Sequence, residues 1–262
     1  SLFKGTPYSY ESGGLPLAIC DLSFGELTDF YRRHYNASNC FIFLYGKIDE
    51  EDTLAYLSER YLDRYGRAEA YRVKDIPENC FDPAFAAPYP ADESKLENGF
   101  YFACNFALPV PHTPLNLLTL RVLDRILCTS QGAVVKTAMQ KAGVGEDFYS
   151  MVDEMVKVPW FSFVCSGCRE GDREKFREII ETTLEKLARE GIDRDSLTAT
   201  LNMLEFCEKE DADTWKTKGI AFAIQLLPKL LYDEDDPLEL LEFFDAIDRL
   251  KELAKTDYFE RF

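Results

Sequence analysis

Apolar residues near the start of the chain recur with the period of an α-helix. Ser23 and Glu26 have the spacing of a capping box, in which the hydroxyl and the carboxylate each bond a backbone N–H that the first helical turn leaves free. One face of the following turns carries aromatic or apolar groups: Leu27, Phe30, Tyr31 and His34. The pattern therefore predicts an amphipathic helix that ends near Asn36.

The next two segments predict a buried strand and a second helix. Residues 40–45 are an uninterrupted apolar run that stops at Gly46, as expected for a strand buried on both faces. Acidic groups between Asp49 and Asp52 favour the start of a helix, because they complement the positive end of the helix dipole. Helix, strand and helix are too few elements for a complete sheet domain. We therefore interpret residues 1–72 as the truncated C-terminal part of a first domain.

Residues 73–98 change in composition and predict a connector. Four prolines fall in this stretch, together with a charged run at residues 92–95. Each proline fixes its φ angle and lacks a backbone donor, so a regular helix or strand is disfavoured. We expect this segment to join two domains and to contain at most an edge strand.

Residues 99–262 alternate between extended and helical patterns. Period-two alternation or short apolar runs predict strands at residues 100–108, 148–156 and 160–168. The last two should form an antiparallel pair joined near Pro159. Apolar groups at helical spacing predict helices at residues 115–127, 130–142, 175–189, 193–210, 220–232 and 237–255. This order predicts an α+β fold, in which a mainly antiparallel sheet packs against several helices.

The charge balance excludes some classes of partner. Lys and Arg total 30 against 47 Asp and Glu, a formal net charge of −17. Phosphate backbones and anionic lipids would be repelled, so we expect no nucleic-acid or membrane partner. The uncharged apolar stretches at residues 100–110 and 220–227 are shorter than the roughly 20 residues that span a bilayer. An acidic surface suits basic peptides, although it most often serves only for solvation.

The cysteines predict a reducing environment. Eight cysteines lie along apolar segments and are interpreted mostly as buried free thiols, which favours the cytoplasm or another reducing compartment. Cys165 and Cys168 form the one C-x-x-C pair in the sequence. A structural zinc site would need a second such pair or a pair of histidines. We therefore interpret both as packing residues without a metal or redox role, and expect a zinc titration to show no tight site.

Motifs for catalysis or metal binding are not found. The chain has two histidines: His34 follows an amphipathic face at a helix end, and His112 lies in a turn before a helix, so both are interpreted as structural. The acidic runs at residues 208–211 and 233–236 lack the ligand spacing and glycine of an EF-hand. No phosphate-binding glycine loop or G-x-S-x-G motif occurs. We assign no catalytic, cofactor-binding or metal-binding residue.

The order of several short segments resembles one peptidase family. The segments that carry the resemblance are residues 5–16 (GTPYSYESGGLP), 22–27 (LSFGEL), 30–39 (FYRRHYNASN), 142–146 (AGVGE), 184–193 (LEKLAREGID) and 220–232 (IAFAIQLLPKLLY). Together they resemble the presequence-protease branch of the pitrilysin and insulinase zinc peptidases, the inverzincins. Residues 1–72 would then close a catalytic-type domain, and residues 99–262 would be the second, non-catalytic domain.

The resemblance implies a zinc endopeptidase that encloses short unstructured peptides in a chamber. In this family two histidines of an H-x-x-E-H helix bind zinc and the glutamate activates water. That helix precedes the Gly13-Gly14 turn in the family, and the sequences at His34 and His112 do not match it. Zinc is therefore expected in a full-length parent and not in this chain, which should be inactive alone.

Two further expectations follow from the resemblance. The chain starts without an initiating Met or a signal-like segment, so we interpret it as an internal fragment whose partners include the remainder of the parent chain. A truncated sheet domain would expose apolar faces, which favours self-association. The alternative function is part of a catalytically silent family member that acts as a scaffold or peptide-binding subunit.

Overall fold

A computed structural model describes residues 3–71, 73, 76, 84–90, 97–210, 218–232 and 235–262. Contacts divide the chain into two compact units. The first unit consists of residues 1–85 and 216–234, and the second of residues 86–215 and 235–262. Helix residues 218–232, which the predicted division includes in the second domain, group here with the first unit; the predicted division itself stays a prediction.

Helices dominate the described chain. In chain order they are α1 (Pro16–Ile19), α2 (Phe24–His34), α3 (Glu50–Arg60), α4 (Pro114–Asp124), α5 (Val134–Ala142), α6 (Arg173–Glu190), α7 (Arg194–Glu210), α8 (Lys218–Tyr232), α9 (Phe243–Leu253) and α10 (Tyr258–Arg261). The strands are β1 (Phe100–Ala107), β2 (Asp147–Asp153) and β3 (Trp160–Cys168). Short 3₁₀ turns lie at Pro7–Ser9, Ala37–Asn39, Leu62–Arg64, Glu170–Asp172 and Pro237–Leu241, and a π-helical turn at Arg125–Thr129.

Side-chain caps mark the start of α2 and of α3 in the first unit. The Ser23 hydroxyl accepts a hydrogen bond from the Glu26 amide at 3.2 Å, and the Ser23 amide donates to the Glu26 carboxylate at 2.9 Å. The predicted capping box of α2 is therefore confirmed. Asp49 caps α3 in a similar way, since its carboxylate accepts from the Asp52 amide at 3.0 Å.

The strand predicted at residues 40–45 is wrong. These residues do not form a strand, and the large side chains from Phe41 to Tyr45 are 37–54% exposed. A strand requires a hydrogen-bonded neighbour, and among the described residues of this unit no other segment is a strand. Ahead of the run, Ser38 and Asn39 side chains accept hydrogen bonds from the backbone at residues 68 and 71, each at 2.9 Å.

Helix α8 brings a distant part of the chain into the first unit. The ring of Phe222 lies 5.4 Å from that of Tyr45, in an edge-to-face arrangement. A Cβ on Gly219 would come within 3.1 Å of the Tyr45 side chain, so the glycine permits this close approach. The apolar run at residues 40–45 thus contacts a helix instead of a neighbouring strand.

Much of the predicted connector lies outside the described residues. Residues 84–90 have neither helix nor strand, which agrees with the proline content of this stretch. The prolines at positions 77 and 83 and the charged run at residues 92–95 are not described. The domain boundaries at residues 72 and 99 therefore stay predictions.

The second unit contains an antiparallel sheet with strand order β1-β3-β2. Strand β3 is central, and Ser162 pairs with Asn105 of β1 on one side and Met151 of β2 on the other. The predicted strands and their antiparallel pairing are confirmed, although β2 begins one residue and ends three residues earlier than expected. With the helices around it, the sheet confirms the α+β class.

A β-bulge changes which way the end of β3 faces. The pairing register with β1 shifts between Cys165 and Cys168, and Gly167 adopts a φ of 66°. Residues i and i+3 of a regular strand point to opposite faces, yet both cysteines are fully buried in one hydrophobic cluster. The bulge therefore places two thiols together in the core.

The buried side chains of the second unit form two clusters. One lies among α4, α7 and α9 and includes Leu118, Leu201 and Ile247. The other lies between the sheet and helices α5 and α6, where Phe163 and Ile180 are buried. None of the described helices is long and apolar enough to cross a membrane.

Candidate functional site: a pocket beside a π-helical turn

Both histidines lie in packed environments. The His34 ring is 4.3 Å from that of Phe30 and 5.0 Å from that of Tyr71, measured between centroids. His112 is buried, and its Nε2 lies 3.0 Å from the carbonyl oxygen of Val156. His34 belongs to the first unit and His112 to the second.

The C-x-x-C pair is held in the core as thiols. The Cys165 thiol donates to the carbonyl oxygen of Val144 at 3.5 Å, and both cysteines are fully buried. Burial raises the pKa of each thiol, because the core disfavours the thiolate. Metals bind the thiolate, so this environment opposes metal binding.

Zinc coordination is not supported by the described side chains. Within the described ranges no group of three or more His, Cys, Asp and Glu side chains is placed to hold a metal ion. The described donors therefore do not fit the zinc that the resemblance implies for a parent protein.

A π-helical turn at Arg125–Thr129 directly follows α4. The turn ends where the Ser130 amide donates to the Arg125 carbonyl at 2.9 Å, five residues back. Such i to i+5 bonds widen the helix by one residue and occur frequently at functional sites. This turn lies beside the end of β2, where it forms one side of a pocket.

Asp124 holds the π-helical turn against the sheet. Its carboxylate accepts hydrogen bonds from the hydroxyl of Ser150 on β2 and from that of Thr129, the latter at 3.2 Å. Cys128 lies behind this contact, where burial raises the pKa of its thiol to about 12 and a hydrogen bond to Ser150 partly offsets that rise. The thiol therefore stays protonated at neutral pH.

An ion pair between Arg121 and Glu154 forms another part of the pocket wall. The Arg121 Nε lies 3.1 and 3.3 Å from the two carboxylate oxygens of Glu154, and a second guanidinium nitrogen also contacts the carboxylate. The Arg121 guanidinium carbon is 5.7 Å from the centroid of the Phe243 ring. Next to it, the Asp153 carboxylate accepts from the Met155 amide at 2.9 Å.

The pocket itself has a volume of about 590 Å³. Its lining combines charged and apolar groups: Arg121, Asp124, Arg125, Thr129, Val152, Asp153, Glu154, Met155 and Leu204. Sequence reasoning missed this site, because its residues come from three segments without a shared motif. The available signal was weak: two arginines and an aspartate within five positions on an otherwise apolar helix.

Comparison with known families identifies the class of protein. A family model described as Peptidase M16 inactive domain matches residues 21–204 of the 262. Because the match covers most of the chain, the chain belongs to the M16 peptidase family, the pitrilysin and insulinase type. The resemblance stated from the sequence is confirmed.

Among curated relatives, presequence proteases recur. Protein HypA of Clostridium perfringens is 27% identical over 99% of this chain and 27% of its own length. Presequence protease 1, chloroplastic/mitochondrial, of Arabidopsis thaliana is 31% identical over 93% of this chain and 23% of its own length. The mitochondrial presequence protease of Schizosaccharomyces pombe is 30% identical over 96% of this chain and 25% of its own length. The chain thus spans about a quarter of the length of these relatives.

Solved structures share the fold. The peptidase M16 inactive domain from Pseudomonas fluorescens aligns with a TM-score of 0.65 at 16% identity, covering 99% of this chain and 58% of that one. A protease from Helicobacter pylori aligns with a TM-score of 0.57 at 15% identity, covering 92% and 57%. At such identities the likeness shows the architecture alone.

Proposed function

We propose that this chain is a non-catalytic part of a longer zinc endopeptidase that degrades short unstructured peptides. The observation that carries the proposal is the match of residues 21–204 to the inactive domain of M16 peptidases. Relatives about four times as long support the existence of further domains in a parent protein. The chain would support the catalytic domain and form part of the wall of a peptide-enclosing chamber.

The first unit supports this role through the apolar surface it leaves exposed. Leu17 and Phe24 are 82% and 81% exposed, and Leu27, Phe30 and Tyr31 of α2 are more than half exposed. Contiguous exposed apolar groups on a soluble protein mark surfaces that bind another polypeptide. The remainder of the parent chain is the partner we propose for this surface.

Peptide cleavage by the full-length parent tests the proposal. We expect the parent to cleave a fluorogenic unstructured peptide and to lose activity with a zinc chelator, whereas the 262-residue chain alone should not cleave it. Chelator-sensitive cleavage by this chain alone would overturn the proposal. A parent that binds such peptides without cleaving them, and lacks H-x-x-E-H ahead of this segment, would support the silent-scaffold alternative.

Self-association of the isolated chain tests the exposed surface separately. We expect light scattering to show concentration-dependent association, because uncovered apolar area is removed from water on contact. The double variant Leu17→Ser and Phe24→Ser should reduce it. Phe206→Ser is the control, since Phe206 is 60% exposed but belongs to the second unit. A wild-type chain that stays monomeric at all concentrations would contradict this part of the proposal.

A reducing compartment, the cytoplasm or another, is also proposed. Supporting it, the described cysteines at positions 20, 40, 104, 128, 165, 168 and 207 are free thiols. Trapping thiols with an alkylating reagent during native extraction should label all of them once the protein is unfolded. Recovery of disulfide-linked peptides would count against this compartment.

A further inference from the structure

We infer that the pocket of the second unit binds the carboxylate of a peptide, with Arg125 as the anchoring cation. Arg125 lines the pocket and is half-buried. Within the described part of the chain, its guanidinium forms no hydrogen bond or ion pair. A planar guanidinium matches a carboxylate with two parallel hydrogen bonds. This arginine is therefore a hydrogen-bond donor in a pocket, and no described residue supplies its acceptor.

The acidic groups around the pocket are already hydrogen-bonded. Glu154 is neutralised by Arg121, which contacts both of its carboxylate oxygens. Asp124 accepts a hydroxyl hydrogen bond on each of its oxygens. Asp153 accepts the Met155 amide, and the carboxylates of Asp124 and Asp153 both keep their negative charge beside the pocket. An incoming carboxylate can therefore reach Arg125 without displacing an internal partner, although the negative charges of Asp124 and Asp153 will limit its affinity.

The apolar residues that line the pocket indicate which group of the ligand lies next to its carboxylate. Val152, Met155 and Leu204 supply apolar surface. A volume of 590 Å³ lies within the range of about 300–1,000 Å³ that is typical of ligand pockets. An apolar side chain adjacent to the carboxylate would bury against these residues. The ligand class is therefore a carboxylate with a neighbouring apolar group, as at the C-terminus of a peptide or at an acidic side chain within one.

The π-helical turn gives Arg125 a defined position before any ligand binds. Asp124 links the turn to Ser150 of β2, and Thr129 closes it on the same carboxylate. A donor held on an ordered backbone loses less entropy when it binds than one on a flexible loop. The inference rests on this pocket alone and does not depend on whether a parent protein cleaves peptides.

Calorimetric titration of the 262-residue chain tests the inference. The probes are acetyl-Leu-Leu with a free carboxyl terminus, the same peptide as its C-terminal amide, and acetyl-Leu-Glu-Leu-amide. We expect at least one carboxylate-bearing probe to bind and the neutral amide to bind at least about tenfold more weakly. Binding of the free acid only identifies a peptide C-terminus, and binding of the internal glutamate identifies an acidic side chain.

Two variants distinguish binding in the pocket from a general effect of the protein's charge on binding. Arg125→Gln should lower the affinity for the carboxylate-bearing probe at least about tenfold, because the charged hydrogen bonds are lost. Arg249→Gln is the matched control, since Arg249 is an exposed helical arginine that does not line the pocket. It should bind as the wild type does. Circular dichroism should show that both variants fold.

Three results would overturn the inference. They are equal binding of the acid and the neutral amide, unchanged binding by a folded Arg125→Gln, and no binding of any probe up to about 10 mM. If Arg125→Gln does not fold, Arg125→Lys serves as the second variant. It keeps the positive charge but lacks the planar guanidinium that forms two parallel hydrogen bonds, so it should still weaken binding. The comparison of acid with amide on the wild type needs no variant.

Discussion

The two units of this chain differ in what covers their apolar side chains. In the second unit Leu118 and Ile180 are fully buried within clusters of helices and strands. In the first unit Leu17 and Phe24 remain more than 80% exposed, although α2 is amphipathic and well capped. Hydrophobic stabilisation grows with the apolar area removed from water. An amphipathic pattern therefore shows which face of a helix needs a partner, but not whether the same chain supplies it.

The largest expected effect is on the free energy of unfolding, and it is tested by truncating one phenylalanine in each unit. Phe163 is 2% exposed and its ring lies 4.8–6.1 Å from those of Phe161, Phe106 and Phe148. Phe163→Ala should lower the free energy of unfolding by about 3–5 kcal/mol, because it leaves a cavity. Urea denaturation followed by circular dichroism measures this change.

Phe24→Ala is the control for that substitution. Phe24 is 81% exposed, so its truncation should change the free energy of unfolding by less than about 0.5 kcal/mol. Both proteins should be measured at a concentration where the chain is monomeric. Similar losses for the two variants would mean that the exposed surface of the first unit is covered within the chain, which would remove the contrast between the units.

A second pair tests how tightly the bulge of β3 is packed. A Cβ on Gly145 would lie 2.7 Å from the carbonyl oxygen of Ser166 and closer still to the sulfur of Cys165, at a φ of 67°. Gly145→Ala should therefore lower the free energy of unfolding by about 2–4 kcal/mol, because of the steric clash and the left-handed backbone together. Gly132 also has a positive φ, but a Cβ there meets nothing within 4 Å. Gly132→Ala should cost only about 1–2 kcal/mol in the same denaturation assay.

A smaller effect is expected at the buried carboxylate of Glu260. Its Oε1 accepts from the Ile192 amide at 2.8 Å and from the Arg194 guanidinium at 2.9 Å, which joins α10 to the turn between α6 and α7. Glu260→Ala should cost about 1–3 kcal/mol, because the Ile192 amide loses its acceptor. Glu190→Ala removes an exposed carboxylate nearby and should change stability by less than about 0.5 kcal/mol. Equal thermal midpoints for the two variants would show that this contact contributes nothing.

The smallest effect depends on pH. Hydrogen bonds from Lys209, then from Lys251, lower the pKa of Glu205 from 4.5 to about 2. A carboxyl group whose pKa is lowered on folding stabilises the folded state above its unfolded pKa, and that contribution disappears as the pH falls from 4.5 towards 2. Stability should fall more steeply across this window for the wild type than for Glu205→Gln, by thermal denaturation at several pH values. Parallel curves would show that the pair contributes nothing to folding.

Local signals in the sequence were sufficient for most elements. The capping box at Ser23 and Glu26 depends on groups three residues apart, so it could be predicted without tertiary information. Gly143 ends α5 with a φ of 65° for an equally local reason. Strand alternation at residues 100–107 likewise predicted β1, since one face of the strand meets the core.

The wrong strand prediction at residues 40–45 and the pocket that the sequence did not reveal have one physical cause. The apolar run at residues 40–45 indicates a need for burial, but a strand forms only if a second segment supplies hydrogen bonds, and in the described first unit Phe222 of α8 contacts Tyr45 instead. The pocket is assembled from α4, the end of β2 and Leu204 of α7. Contacts between such distant segments leave no periodic signal in the chain.

By itself, the sequence determined the family, the α+β class and the helices and strands whose caps and periods are local. Only the tertiary structure decided that helix α8 joins the first unit and that the bulge at Gly167 places Cys165 and Cys168 in one cluster. It also decided that Arg125 lies in a pocket, where no described residue pairs with it. The reason is the range of the interactions. Capping and amphipathicity act over a few residues, whereas burial, strand pairing and the environment of a charge depend on segments far apart in the chain.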